Sequence, residues 1–214
     1  TADRLELRVV RFVLDSEFER LAPDVQATLL DDFNRSNTGP PPSGSWGAGS
    51  FSSGTSGLQV VSNAVKRGGA GWSSGYWGTQ IGPDCICVVT VPTLGDFSII
   101  LRGQTPGSAA WDGYELLFTS ASNRWDINRD IDGAATSLAN VTQAITAGDK
   151  VGFEVTGTGA TVTLNAARYT AGAWGADFLS TTDVNAARIV ASGYAAASSV
   201  SSSAAYARAL ASAS

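Results

Sequence analysis

An all-β fold, with a sandwich, a jelly roll and a barrel all open at this point, is what this sequence predicts, and three observations carry it. Short alternations of apolar and polar residues recur at roughly 10-residue spacing, each bounded by Gly, Pro, Asn, Asp or Ser. Small residues are abundant, with 24 glycines in a chain of 214 residues, which suits a fold of many turns. Hydrophobic residues make up 43% and charged residues only 15%, enough apolar material for one well-formed core.

The elements follow in order. Residues 1–30 differ in texture from the rest and form an N-terminal arm. "LELRVVRFVL" alternates through Leu5, Leu7 and Val9 and reads as a strand. Phe18, Leu21, Val25 and Leu29 then fall at helical spacing, with Ser16 and Glu19 in capping-box positions, and Pro23 limits the helix to a short or broken one. So much apolar surface is expected either to pack on a neighbouring subunit, giving a homo-oligomer or an attachment contact, or to fold back onto its own domain.

A Gly/Ser/Pro-rich stretch, 36–57, reads as loop, with Trp46 and Phe51 as candidate pins. "LQVVSNAVKRG" predicts a hairpin about Ser62-Asn63, and "CICVVTVP" a buried strand stopped by Pro92. Cys85 and Cys87 sit two apart on that strand, where a disulfide would be strained; two free buried thiols are expected, as in a reducing cytoplasm. "DFSIILRG", "DGYELLFTS", "RWDINRDID", "VGFEVTGTG" and "ATVTLNAARYT" supply further strands. Their core candidates are Tyr114, Leu116, Phe118, Trp125, Ile127, Phe153 and Val155. After Gly193 the chain becomes Ala/Ser-biased, and composition leaves a last strand, a helix and a flexible tail all open. The expected layout is an arm at 1–30, a jelly roll at 31–192 and an Ala/Ser-rich tail at 193–214.

The stretch "NRWDINRDIDG" poses a choice between a calcium loop and a strand. A calcium loop of the EF-hand type starting at Asp126 would need Gly at its sixth position and Glu at its twelfth, where this chain has Ile131 and Ser137. The alternation instead predicts a strand with Trp125, Ile127 and Ile131 toward the core. Asp126, Asn128, Asp130 and Asp132 are then expected to face solvent, with Asp132-Gly133 as the hairpin turn.

The chemistry the chain lacks is as informative. It contains no His, which removes Ser-His-Asp and Cys-His nucleophilic machinery and histidine metal sites. No Gly-x-x-x-x-Gly-Lys-Ser/Thr loop occurs. Asp112 and Glu115 in "WDGYE" form the best local carboxyl pair, but they read as a hairpin rim and a solvated strand position. The net charge of −5 disfavours nucleic acid or an anionic membrane as partner, and no apolar run is long enough for a membrane-spanning helix. No cofactor and no tightly bound catalytic metal are expected, with calcium at a loop carboxylate left open.

Asp31-Asp32-Phe33-Asn34-Arg35, followed in order by "LQVVSNAVKRG", "PDCICVVTV", "FSIILRG", "DGYELLF", "RWDINRDIDGAATSL" and "AGDKVGFEVTGTGATVTLN", resembles the concanavalin A-like (laminin-G-like) jelly-roll module. That module opens with Asp-Asp-Phe-Asn-Arg and recurs in actinobacterial phage minor tail proteins and bacterial secreted proteins. Leu58–Val65 match its first hairpin, Gly113–Phe118 its Gly-Tyr core strand and Gly148–Gly157 its late strand. Arg129 and Asp132-Gly133 match its Tyr-Arg-x-x-Asp-Gly hairpin, with Asn128 in place of the aromatic. The resemblance covers 31–190 and implies an all-β, two-sheet antiparallel jelly-roll sandwich. The short Val-Asn-Gly turn that usually follows the late strand is replaced here by "LNAARYTAGAWG".

The resemblance implies a non-enzymatic virion structural protein of a bacteriophage, a minor tail or capsid decoration protein assembled in the host cytoplasm. Its partners would be other virion subunits, met through residues 1–30 or the tail, and host surface glycans. The alternative it leaves is a carbohydrate-binding module of a bacterial surface or secreted protein. For a glycan site the sequence points to Trp72, Tyr76 and Trp77 in "GWSSGYWG", with Trp111 and Asp112. Flat rings stack on sugar faces, and a carboxylate accepts hydrogen bonds from hydroxyls.

Overall fold

The computed structural model describes residues 28–31, 33–48, 56–91, 94–170, 173–199 and 208–213. The expected strand and most of the expected helix of the arm fall on 1–27, and Phe51 on 49–55, outside the described residues; the helix's expected end at Leu29 is instead part of a strand, Thr28–Asp31, paired into a sheet.

The described chain is all-β. Strands β1 (Thr28–Asp31), β2 (Trp46–Ala48), β3 (Ser56–Val61), β4 (Ala64–Arg67) and β5 (Ser73–Trp77) come first. Then follow β6 (Cys85–Thr90), β7 (Phe97–Gln104), β8 (Asp112–Thr119), β9 (Arg124–Ile131) and β10 (Ala134–Thr142). The last are β11 (Lys150–Thr156), β12 (Val162–Thr170), β13 (Ala173–Asp183), β14 (Tyr194–Ser199) and β15 (Arg208–Ala213). A 3-10 turn at Ser120–Ser122 is the one helical piece among the described residues.

Two sheets form a sandwich. One has six strands in the order β1-β15-β6-β11-β12-β13; the other has nine, β10-β9-β8-β7-β14-β5-β3-β4, with β2 also paired to β5. Pairing is antiparallel apart from a short parallel contact of β3 with β5. The turns follow the sequence chemistry. Ser62 and Asn63 both take positive φ between β3 and β4, as do Asp132 and Gly133 between β9 and β10.

The core lies between the sheets, and parity decides who enters it. Phe97, Ile99 and Leu101 point inward from β7, Tyr114, Leu116 and Phe118 from β8, and Trp125 and Ile127 from β9. Cys87, Val151, Phe153, Val155 and Leu164 meet them from the six-stranded sheet. All seven core candidates of the sequence are buried. Trp125 is the centre, with ring centroids of Phe118, Phe178 and Phe97 at 4.5, 5.1 and 5.7 Å. Both cysteines are free and buried, as expected.

Three polar ties close the sandwich. In the Asp-Asp-Phe-Asn-Arg segment, Asp31 accepts the Phe33 N–H at 2.8 Å and the Trp46 indole N–H at 2.9 Å, and pairs with Arg35. That segment is thus a clamp that pins Trp46 and holds Phe33 at positive φ. Arg102, fully buried, donates to the carbonyls of Pro83, Ile189 and Gly157 and reaches Asp84. Asp183 on β13 accepts from Tyr114 Oη at 2.9 Å and from Arg129 at 2.8 Å, which joins the two sheets.

Two expectations need correction. The polar side of β9 does not face solvent: Asp126, Asn128 and Asp130 are 8%, 6% and 3% exposed, and only Asp132 is open. Alternation reports which residues share a face, not whether the second face is wet, and here Asn128 is bonded to Glu115 and Asp126 to Arg124 and Ser137. Glu115 is likewise half-buried, not solvated, and Gly113 lies inside β8 instead of in a turn. For the Ala/Ser-rich segment, left open between strand, helix and tail, the structure selects strands, and interior ones. β14 lies between β5 and β7, and β15 between β1 and β6. Tertiary pairing overrides the weak strand propensity of Ala and Ser.

Candidate functional site

The face of the nine-stranded sheet that points away from the core carries the candidate site. Residues paired across the strands line up in transverse rows. One row runs Tyr76 (β5), Ala196 (β14), Ile100 (β7), Glu115 (β8), Asn128 (β9) and Ser137 (β10). At about 4.8 Å per strand, the three steps from Tyr76 to Glu115 span roughly 14 Å. A parallel row runs Ser74, Ser198, Ser98, Leu117 and Asp126. One end of the face is thus aromatic and the other acidic.

The aromatic end is seated on glycine. Tyr76 and Tyr194 meet edge to face, with centroids 5.4 Å apart and planes at 73°. A Cβ on Gly47 would stand 2.0 Å from Tyr76 Cζ, so the ring lies where only glycine lets it. Trp111 packs with Ile100 and Ala196, and a Cβ on Gly113 would be 2.9 Å from Trp111 Cζ3. Both rings therefore lie close against the sheet backbone. Tyr76 and Tyr194 are half-buried and keep part of their surface open, whereas Trp111 is buried.

The acidic end is crowded. Asn128 Nδ2 donates to Glu115 Oε2 at 3.1 Å. Burial pushes the Glu115 carboxyl up, against the hydrogen bonds from Ser98 and Asn128 that favour its charged form. Asp130, one strand over and diagonal to Glu115, is pushed up to about 8, first by burial and then by the charge of Glu115. Its Oδ2 is buried with no hydrogen-bond partner. Asp126 is neutralised by Arg124, whose Nε and Nη2 reach its two oxygens at 2.8 and 2.6 Å.

The structure divides the five residues the sequence singled out. Tyr76 and Trp111 join one cluster on this face. Trp77, of opposite parity, packs on the main core and meets Trp46 edge to face at 5.9 Å. Asp112 Oδ1 accepts the Asp132 N–H at 2.8 Å and so braces the β9–β10 hairpin. Trp72 is half-buried just before β5 and shares the parity of Tyr76. Tyr194, Glu115, Asn128 and Asp130 were not chosen as glycan residues. The missed signal was two adjacent strands, "GYELLF" and "WDINRD", both carrying polar residues on the face opposite their apolar one.

Among the described residues, no group of three His, Cys, Asp or Glu side chains is placed to hold a metal ion. The face offers rings for stacking and carboxyl, amide and hydroxyl groups for hydrogen bonding.

No family model and no curated protein sequence matches this chain. Solved structures do. The exoplasmic/lumenal domain of VIP36 in its calcium-bound form superposes with a TM-score of 0.61 at 10% identity, covering 89% of this chain and 92% of that one. Carbohydrate-binding module CBM66 from Bacillus subtilis gives 0.52 at 10% identity, covering 79% and 92%. The fold is that of the lectin-like jelly rolls. The CBM2 module of the evolved Dit of Lactobacillus casei BL23 phage J-1 gives 0.51 at 15% identity, covering 88% and 95%. At these identities the likeness is one of fold.

Proposed function

We propose that this chain is a non-enzymatic, glycan-binding jelly roll carried on a bacteriophage particle, as a minor tail or capsid decoration protein. The observation that carries the binding part is the row from Tyr76 through Ile100 to Glu115 and Asn128, with Tyr194 and Trp111 beside it. Half-open rings stack on the apolar face of a sugar, and the polar end of the row fixes its hydroxyls. Fold likeness to a phage Dit module and to carbohydrate-binding domains supports the same reading.

Attachment to the particle falls to residues 1–30 in this proposal. β15 is paired on both sides within its own sheet, which leaves its backbone no free edge for a partner. The test has two arms. A glycan array is probed with the wild type and with a Tyr76→Ala/Tyr194→Ala double variant; loss of a wild-type signal in the variant is expected, and an unchanged signal rejects this face. Purified particles are analysed for the protein and its copy number; absence from particles would leave the reading of a bacterial surface or secreted carbohydrate-binding module, which shares the same face.

A further inference from the structure

We propose that Glu115, Asn128 and Asp130 form a subsite for a positively charged amino group carried on a sugar, so that the ligand class of this face is a de-N-acetylated amino sugar. The inference rests on the glycan-binding reading above and names the chemistry of its acidic end.

The argument starts from an imbalance. Asp130 is 3% exposed, yet its Oδ2 has no hydrogen-bond partner. A buried acceptor left open costs free energy that a ligand donor recovers. Glu115 lies on the adjacent strand, in register with Asn128 and therefore diagonal to Asp130, at a side-chain separation of roughly 7–8 Å or less. The charged groups on this part of the face are Glu115, Asp126, Asp130 and Arg124. Arg124 is the cation among them, and both of its bonds go to Asp126. Glu115 and Asp130 are thus two carboxyls facing one another with no positive charge assigned to either.

A neutral hydroxyl could fill the open acceptor but would bring no positive charge that lets Asp130 and Glu115 ionise together. An ammonium group does both things. It brings three N–H donors and a full positive charge, and charge-assisted bonds of this kind are the strong ones. Solvent reaches the half-buried Glu115, so the amine docks there, with the Trp111 ring and Gly113 alongside. Because burial, and then the charge of Glu115, holds a proton on Asp130, the arriving cation should displace it: the carboxyl gives its proton to solvent as the ammonium takes its place. Sugar rings then extend along the row toward Tyr76 and Tyr194.

Isothermal titration calorimetry on the full chain tests this, with glucosamine trimers and tetramers against their N-acetylated counterparts, at a mildly acidic pH where the sugar amine is protonated. The glucosamine oligomers are expected to bind at least about tenfold more tightly. Their binding should release a proton, seen as a heat that varies with the ionisation enthalpy of the buffer. Asp130→Asn and Glu115→Gln should each bring the two ligand types near parity and abolish the proton release. Equal affinity, a preference for the acetylated oligomers, or proton release that persists in Asp130→Asn would overturn the amine subsite while leaving the glycan reading standing. Binding of neither oligomer would overturn the subsite, and the array with the Tyr76/Tyr194 variant then decides the broader reading by itself.

Discussion

Asp130→Asn is the most informative single substitution in this protein, because its effect on stability should change with pH in a direction the structure sets. The native carboxyl is held up to about 8, whereas in the unfolded chain it falls to the ordinary Asp value of about 4. Between those two values the native state keeps a proton that the unfolded state has released. The unfolded state then binds fewer protons, so wild-type stability falls as pH rises through that window and levels off above it. At 1.36 kcal/mol for each pH unit, the full window would amount to about 5–6 kcal/mol. Water entry and side-chain relaxation reduce such penalties, so a loss of about 2–4 kcal/mol is expected.

Asparagine has nearly the shape of aspartate and no charge to suppress. The variant should match the wild type near pH 4 and be more stable by about 2–4 kcal/mol near pH 8.5. Urea unfolding followed by Trp fluorescence at four or so pH values measures this, with the midpoint compared at constant slope. Glu115, also shifted upward by burial, adds to wild-type loss with the same sign, so the slope should weaken in the variant without vanishing. A stability difference that is constant from pH 4 to pH 8.5, or a variant less stable than the wild type at alkaline pH, would refute the reasoning.

Other expected outcomes follow from the packing. Trp125→Ala should cost about 3–5 kcal/mol, because the ring is fully buried among Phe97, Phe118 and Phe178; a chemical denaturation midpoint checks it, and a cost below about 1 kcal/mol would place the ring elsewhere. Asp183→Ala should cost about 3–5 kcal/mol by stranding Arg129 and Tyr114, while Asp183→Asn should cost less. Cys85 should resist a thiol reagent in the native state, since burial pushes its thiol up to about 12; rapid labelling before unfolding would contradict that. A chelator should leave the melting temperature unchanged, and a drop of several degrees would reveal a bound metal.

Much of the fold was legible because strand parity is written directly in the residues. Tyr114, Leu116 and Phe118 share one parity and all enter the core, as do Phe153 and Val155. The Ser62-Asn63 and Asp132-Gly133 turns were legible because positive φ selects their residue types. Less was legible where long-range pairing decides. β13 was not foreseen, and β14 and β15 are Ala/Ser-rich segments that become strands only because β5, β7, β1 and β6 lie ready to pair with them. The candidate site was half legible for the same reason. "GWSSGYWG" announces aromatics but not that Tyr76 and Trp77 part to opposite sides of the sheet. The acidic end was misread as a wet face, since nothing local says that the outward side of β9 would be closed over.

The outward row also bears on what this face is for. A protein that needed only a stable sandwich would gain nothing from Asp130 beside Glu115, because two crowded carboxyls with an open acceptor oppose folding at neutral pH. The three polar ties elsewhere behave differently: Asp31, Asp84 and Asp183 each face an arginine. In those three ties each carboxylate has a cationic partner, whereas Glu115 and Asp130, on the face that also presents Tyr76 and Tyr194, are given none. On the proposed reading that contrast marks the binding face, and Asp130→Asn puts it to the test twice. If the substitution stabilises the fold at alkaline pH and erases the preference for amino sugars, the strain is the cost of recognition. If it stabilises the fold while ligand preference stays as it was, the strain is real but idle, and recognition must lie wholly with the aromatic end of the row.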